Sequence, residues 1–185
     1  MPRHILWRRL DCPGLERLVV DDGTTPITAR GLVLSLDGGG MELEHCWTLE
    51  RDWRTRVVNV VRRAGDGERR LVLERQAGGW RADGAARPDL EGCAEADLSA
   101  TPFCNTLAIR TLGHAPGDAL TIDVAYIDAA SLEVVRSRQR YERLSARRVR
   151  YTDLGVARGF TAEIEIDDHA LVTTYAGLFE RVEGT

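Results

Sequence analysis

Along most of the chain, apolar and polar residues alternate with a period of two. In Met41–Glu50 the odd positions (Met41, Leu43, His45, Trp47, Leu49) are mostly apolar and the even ones mostly polar. That alternation belongs to a strand with one face in a core and the other in water. Leu120–Tyr126 and Phe160–Asp167 repeat it, and half-solvated strands are the antiparallel kind. Turn signals sit between such runs at hairpin spacing. Asp37-Gly38-Gly39-Gly40 separates Gly31–Leu36 from Met41–Glu50, and Gly65-Asp66-Gly67 separates Val57–Arg63 from Arg69–Arg75. Glycine at these places supplies the positive φ of tight hairpins. Gly78-Gly79 marks a further turn, and Asp167-Asp168-His169 turns the chain ahead of Leu171–Tyr175. The pattern predicts an all-β, mainly antiparallel meander of about ten strands, with no amphipathic helix of three or more turns.

One stretch departs from the pattern. From Gly84 to Thr106 the chain reads as a long irregular connection carrying Pro88, Gly92, Cys93, Asp97, Ser99, Pro102 and Asn105. Connections of that length inside a compact domain are uncommon and often functional, so the sequence directs the search for a site here.

Composition narrows the classes. The 185 residues, 43% hydrophobic and 29% charged, fit a single domain, 1–185, with a core that needs no metal or disulfide staple. All 25 basic side chains are arginine, and the net charge of −4 gives no long-range attraction for nucleic acid. No apolar run is long enough to span a bilayer, and Met1–Arg9 lacks the apolar core of a secretory signal, which predicts a cytoplasmic protein without a transmembrane segment. Cys12, Cys46, Cys93 and Cys104 form no CxxC pair and read as free thiols. His4, His45, His114 and His169 show no metal-ligand spacing, and His45 sits on the apolar phase of its strand, as an interior histidine does. There is no GxSxG, and Gly38-Gly39-Gly40 has neither the lysine nor the following helix of a phosphate loop. No cofactor is implied.

The segment Gly92-Cys93-Ala94-Glu95-Ala96-Asp97-Leu98-Ser99-Ala100-Thr101-Pro102-Phe103-Cys104-Asn105-Thr106-Leu107-Ala108-Ile109-Arg110 resembles a bacterial family described as glycolipid-binding, whose signature runs close to gC-x-D-x-DLS-x-TPFTNTLPIRRL. Trp47 to Trp53, Gly79-Trp80, Gln139-Arg140-Tyr141 and Tyr175-Ala176-Gly177-Leu178-Phe179-Glu180-Arg181 match further family blocks in order, so the resemblance covers nearly the whole chain. The DLS-x-TPF-N-T block is specific and the others supportive. Departures are Glu95 for the first Asp, Cys104 for Thr, Ala108 and Ala176 for Pro, and Thr111 for the second Arg. The resemblance implies a curved meander sheet forming a half-open β-barrel with a concave cleft, and binding of a glycolipid or other amphiphile there. Cys104 lacks the hydroxyl of the usual Thr, which bears on ligand identity.

Within that expectation each candidate has two readings. Asp97, Ser99, Thr101 and Asn105 offer groups that hydrogen-bond sugar hydroxyls, or else pin the loop through neighbouring backbone groups. Arg110 offers its planar fork to an anionic head group, or holds the loop down by an ion pair with Asp97 or Glu95. Gln139, Tyr141 and Tyr151 suit polar and stacking contacts on an inner face. Trp47, Trp53 and Trp80 suit a sugar-stacking floor or plain core. The ligand-binding candidates are therefore Asp97, Thr101, Asn105, Arg110, Gln139, Tyr141, Trp47 and Trp80, with no catalytic or metal residue assigned. The leading expectation is a binding protein for an amphiphilic small molecule, its acyl chain on the concave face. The alternative is a hydrolase or isomerase using Asp97 or Glu95 as general base. A third reading is a protein-binding scaffold with a filled interior.

Overall fold

The computed structural model describes residues 1–182. Its first half is a run of strands: β1 (Arg3–Arg9), β2 (Gly14–Asp21), β3 (Ile27–Ser35), β4 (Met41–Leu49), β5 (Thr55–Ala64), β6 (Gly67–Gln76), β7 (Gly79–Ala82), β8 (Ala85–Ala86) and β9 (Glu95–Leu98). One α-helix, α1 (Phe103–Thr111), follows. The second half holds β10 (Ala119–Ile127), β11 (Val134–Ser145), β12 (Arg148–Asp153), β13 (Thr161–Ile166), β14 (Val172–Tyr175) and β15 (Phe179–Arg181). The expected strands all form, within a residue or two of the expected ends except that β3 begins at Ile27, four residues before the expected Gly31. The count is fifteen where about ten were expected, because short strands such as β8 and β15 carry too few residues to show a period.

All fifteen strands lie in one sheet, ordered β8-β7-β6-β5-β4-β3-β2-β1-β15-β14-β13-β12-β11-β10-β9. The meander is antiparallel throughout except for β9, which runs parallel to β10. Pairing of β1 with β15 joins the two halves, so the free edges are β8 and β9. The sheet curls without closing, a half-open barrel. Its two edge regions meet through side chains where no strand ladder joins them. Trp80 Nε1 donates to the Cys93 carbonyl over 3.1 Å, the Thr55 amide donates to Glu95 Oε2 over 2.9 Å, and Arg75 donates to the Ala94 carbonyl.

The region expected as an irregular loop is more ordered than its composition suggested. It contains β8, a short 3-10 turn at Pro88–Leu90, β9 and the first turn of α1. The helix occupies the inside of the curl. Phe103, Cys104, Asn105, Thr106, Leu107, Ala108 and Ile109 are all buried, and their neighbours come from opposite walls. Phe103 packs edge-on against Trp47 of β4 with ring centres 5.7 Å apart, while Asn105 reaches Tyr141 of β11. The concave face expected to receive an acyl chain therefore carries α1 and the core around it.

Polar groups anchor the helix at both ends. The Phe103 amide donates to Thr101 Oγ1 over 3.1 Å, and that hydroxyl donates to Glu16 Oε1 over 2.7 Å. At the other end Arg143, itself buried, donates to the carbonyls of Ile109 and Gly113. An anion near the N-terminus and a cation at the C-terminus both suit the helix dipole.

Candidate functional site

The two halves of the interior differ in chemistry. The wall from β1 to β7 is apolar apart from Glu16, Ser35, His45 and Thr55. The wall from β9 to β15 is polar and aromatic: β11 alone turns Ser137, Gln139, Tyr141 and Arg143 inward. In a strand with period two this is a polar inner stripe, legible in the sequence only as an outer one.

On that wall Asp97, Gln139, Tyr141 and Asn105 form one network. Gln139 donates its amide N–H to Asp97 Oδ2. The Tyr141 hydroxyl donates to Gln139 Oε1 over 3.0 Å, and Asn105 Nδ2 donates to the Tyr141 oxygen over 3.0 Å. Asp97 is the partly exposed member, while the other three are buried. Loss of hydration raises the Asp97 carboxyl to about 6, opposed by its bonds to Gln139 and Cys104 and assisted by the nearby charge of Asp153. Burial also pushes the Tyr141, Tyr151 and Tyr175 hydroxyls and the Cys104 thiol upward, so all four stay protonated as donors. Tyr151 donates to Asp153 Oδ2 over 3.1 Å. A row of rings borders the network: Tyr141 to Tyr151 at 5.3 Å, Tyr151 to Phe160 at 6.2 Å, and Tyr151 to Tyr175 at 5.9 Å between centres. Phe160, at the outer end of this row, is exposed.

A second buried network stands on the opposite wall. Trp47 Nε1 donates to His45 Nδ1 over 2.9 Å, which leaves the imidazole proton on Nε2, and Nε2 donates to Glu16 Oε1 at 3.0 Å. Thr101 donates to the same oxygen, and Glu16 Oε2 is buried without a hydrogen-bond partner. The sequence placed His45 inside but gave only a weak signal for Glu16, a charged residue within an ordinary strand.

The eight candidates thus divide. Asp97, Asn105, Gln139 and Tyr141 converge. Thr101 and Trp47 belong to the Glu16–His45 network, and the Ser99 hydroxyl accepts from the Ala129 amide over 2.9 Å. Trp80 lies in the seam, with the Arg75 guanidinium 4.7 Å over its ring. Arg110 is not paired with Asp97 or Glu95: its guanidinium sits 3.9 Å over the Trp53 ring and donates to the His169 carbonyl over 2.6 Å. It leaves α1 on the side facing Trp53 and lines a cavity of about 440 Å³ with Arg143, His114 and Asp168. Glu95 is also raised, chiefly by burial, but its oxygen is engaged by Thr55 in the seam. Among the described residues no three His, Cys, Asp or Glu side chains gather as a metal site. Among the same residues no helix is long and apolar enough to cross a membrane.

Fold and interior together define a half-open antiparallel β-barrel with an internal helix and a polar, tyrosine-rich inner wall. The chain belongs to the family described as "Putative glycolipid-binding", matching it over residues 4–181. It is similar to the crystal structure of a DUF1089 family protein from Pseudomonas aeruginosa, with a TM-score of 0.83 and 32% identity over 91% of this chain and 92% of that one. No curated protein matches the chain.

Proposed function

We propose that the protein binds a glycolipid or a related sugar-bearing amphiphile, with Asp97 and its network receiving the head group. The observation that carries this reading is the half-buried residue Asp97, its carboxyl backed by Gln139, Tyr141 and Asn105 and bordered by aromatic rings that reach the surface at Phe160. Sugars are recognised by fixed polar groups beside ring faces, which supply hydrogen bonds and apolar contact at once. The family description points the same way. Because α1 occupies the concave face, the acyl chain stays outside the curl and only the head group enters.

Native mass spectrometry of the purified protein, followed by denaturing extraction, tests this directly. A sugar-bearing amphiphile is expected to co-purify or to be taken up on addition. Asp97→Asn is expected to weaken uptake about tenfold, as loss of a charged hydrogen-bond acceptor does. A bare protein that takes up no added glycolipid would remove the proposal.

A second reading has one observation in its favour. A carboxyl raised to about 6 is suited to act as a general base near neutral pH. On that reading Asp97→Asn abolishes turnover of a short-chain glycoside while leaving its uptake measurable. Absence of turnover in the unaltered protein rejects it.

A further inference from the structure

The two ends of the curled sheet differ sharply in their exposed side chains. Following the strand register, one end collects the β1–β2, β3–β4, β5–β6, β7–β8, β10–β11, β12–β13 and β14–β15 connections. The other collects the β2–β3, β4–β5, β6–β7, β11–β12 and β13–β14 connections. Eight of the twelve exposed large hydrophobic side chains among the described residues lie at the first end. Leu10, Leu15, Leu34 and Leu36 form one group, beside a groove of about 500 Å³ that also takes in Pro13 and Met41. Val135, Leu154, Val156 and Phe160 form the other. The connections at the second end carry no exposed large hydrophobic; there the chain shows Asp22-Gly23-Thr24, Arg51-Asp52 and Asp167-Asp168-His169.

Exposed leucines scattered singly need no explanation, but a rim of apolar side chains gathered mainly at one end does. Three features decide what meets it. The tips belong to separate connections spread over the arc from β3 through β1 and β15 to β11, about 34 Å of sheet at the usual strand spacing. A second protein needs a continuous matching face, whereas a fluid apolar layer accepts separate tips at different heights. Charge at this end is mixed in sign, with Arg9 paired to Asp11 at 2.6 Å and Asp37, Glu133 and Arg158 in the other connections, so the rim offers apolar contact more than a large net charge. Phe160 belongs both to this rim and to the aromatic row that leads in to Asp97.

We infer that this end of the barrel is a membrane-docking rim, by which the protein rests on a lipid surface and meets its ligand there. The inference rests on the ligand reading above, since a glycolipid with long chains resides in a bilayer and not free in water. The rim places Phe160 at the interface and the Asp97 network behind it, so a head group passes inward while its chains remain in the lipid layer. Attachment through apolar tips is insensitive to salt, unlike adsorption through charge.

The test is vesicle flotation with phosphatidylcholine vesicles containing a glycolipid, at low and high salt, beside calorimetric titration with octyl glucoside. Leu36 is 71% exposed and Val156 is 53% exposed, so Leu36→Asp and Val156→Asp leave the core intact. Each is expected to lower the fraction floated about tenfold, the scale of withdrawing one large apolar side chain from lipid, with little effect of salt. Leu32→Asp, on the barrel flank and outside the rim, is expected to float like the unaltered protein, and all variants to bind octyl glucoside alike. Octyl glucoside binding without flotation overturns the rim and leaves the ligand reading standing. Flotation that depends on Leu36 without any glycoside binding keeps the rim and overturns the ligand reading. Light scattering that shows a dimer broken by Leu36→Asp overturns the rim in favour of a second copy of the chain.

Discussion

Replacing Gly31 with alanine is the sharpest probe of the buried Glu16–His45–Trp47 network. Gly31 pairs with His45 across β3 and β4, and a Cβ added there would lie 2.1 Å from His45 Nε2 and 2.2 Å from Cε1. The ring has nowhere to move, because its side chain is 0% exposed and it is held by Trp47 on one nitrogen and Glu16 on the other. Intrinsic propensity favours the alanine by roughly 0.5–1 kcal/mol, since glycine in a strand interior costs that much. Against it stands displacement of the imidazole. That leaves Glu16 with Thr101 alone and Trp47 Nε1 without an acceptor. Breaking a buried pair by removing one partner costs about 3–5 kcal/mol, so the clash wins and a net loss of about 3 kcal/mol is expected. For a domain of this size that lowers the melting temperature by roughly 6–12 °C. Urea unfolding followed by tryptophan fluorescence gives the free energy, and calorimetry the temperature. His45→Ala in the same chain vacates the space, so adding Gly31→Ala to it is expected to stabilise by roughly 0.5–1 kcal/mol, the propensity gain without the clash. A single Gly31→Ala chain as stable as the original would refute the reasoning, as would full additivity in the double variant.

Two further outcomes can be measured on the unliganded protein. The Asp97 carboxyl is raised to about 6 from an ordinary 3.8, so folding favours its neutral form. That stabilisation is complete below about pH 4 and is lost as pH rises toward 6, because the unfolded chain ionises first. Asp97→Asn is expected to flatten this part of the stability–pH curve, and an unchanged slope in urea titrations between pH 4 and 6.5 would contradict it. At the seam, Trp80→Phe removes the donor to the buried Cys93 carbonyl and is expected to cost about 1–3 kcal/mol, with faster hydrogen exchange at Ala94 and Glu95. Unchanged exchange there would mean that the seam is held elsewhere.

Part of the interior polar network was legible from residues alone. Asp97, Asn105, Gln139 and Tyr141 were singled out and do converge. Arg110 was expected near Asp97 because they share a motif, but the helical path from Phe103 to Thr111 carries it to the opposite end of α1, over Trp53. Glu16 shares the phase of Leu18 and Val20 in β2, a weak signal for an inward glutamate, and only the tertiary structure shows the His45 and Thr101 groups that meet it.

The helix itself shows where local pattern stops. Amphipathic helices advertise themselves by a stripe, which needs one face in water. Phe103–Ile109 is buried on all sides, so its polar residues Asn105 and Thr106 face protein and no stripe survives. Local alternation and glycine turns determined the antiparallel strands and their hairpins, because each strand has one dry and one wet face, and each turn is a property of two or three adjacent residues. The curl of the sheet was decided only in three dimensions. The parallel placement of β9, the side-chain seam, the helix inside the curl and the gathering of apolar tips at one end all depend on contacts between residues far apart in the chain. Such contacts form only once the whole sheet has curled, and they leave no period in the sequence.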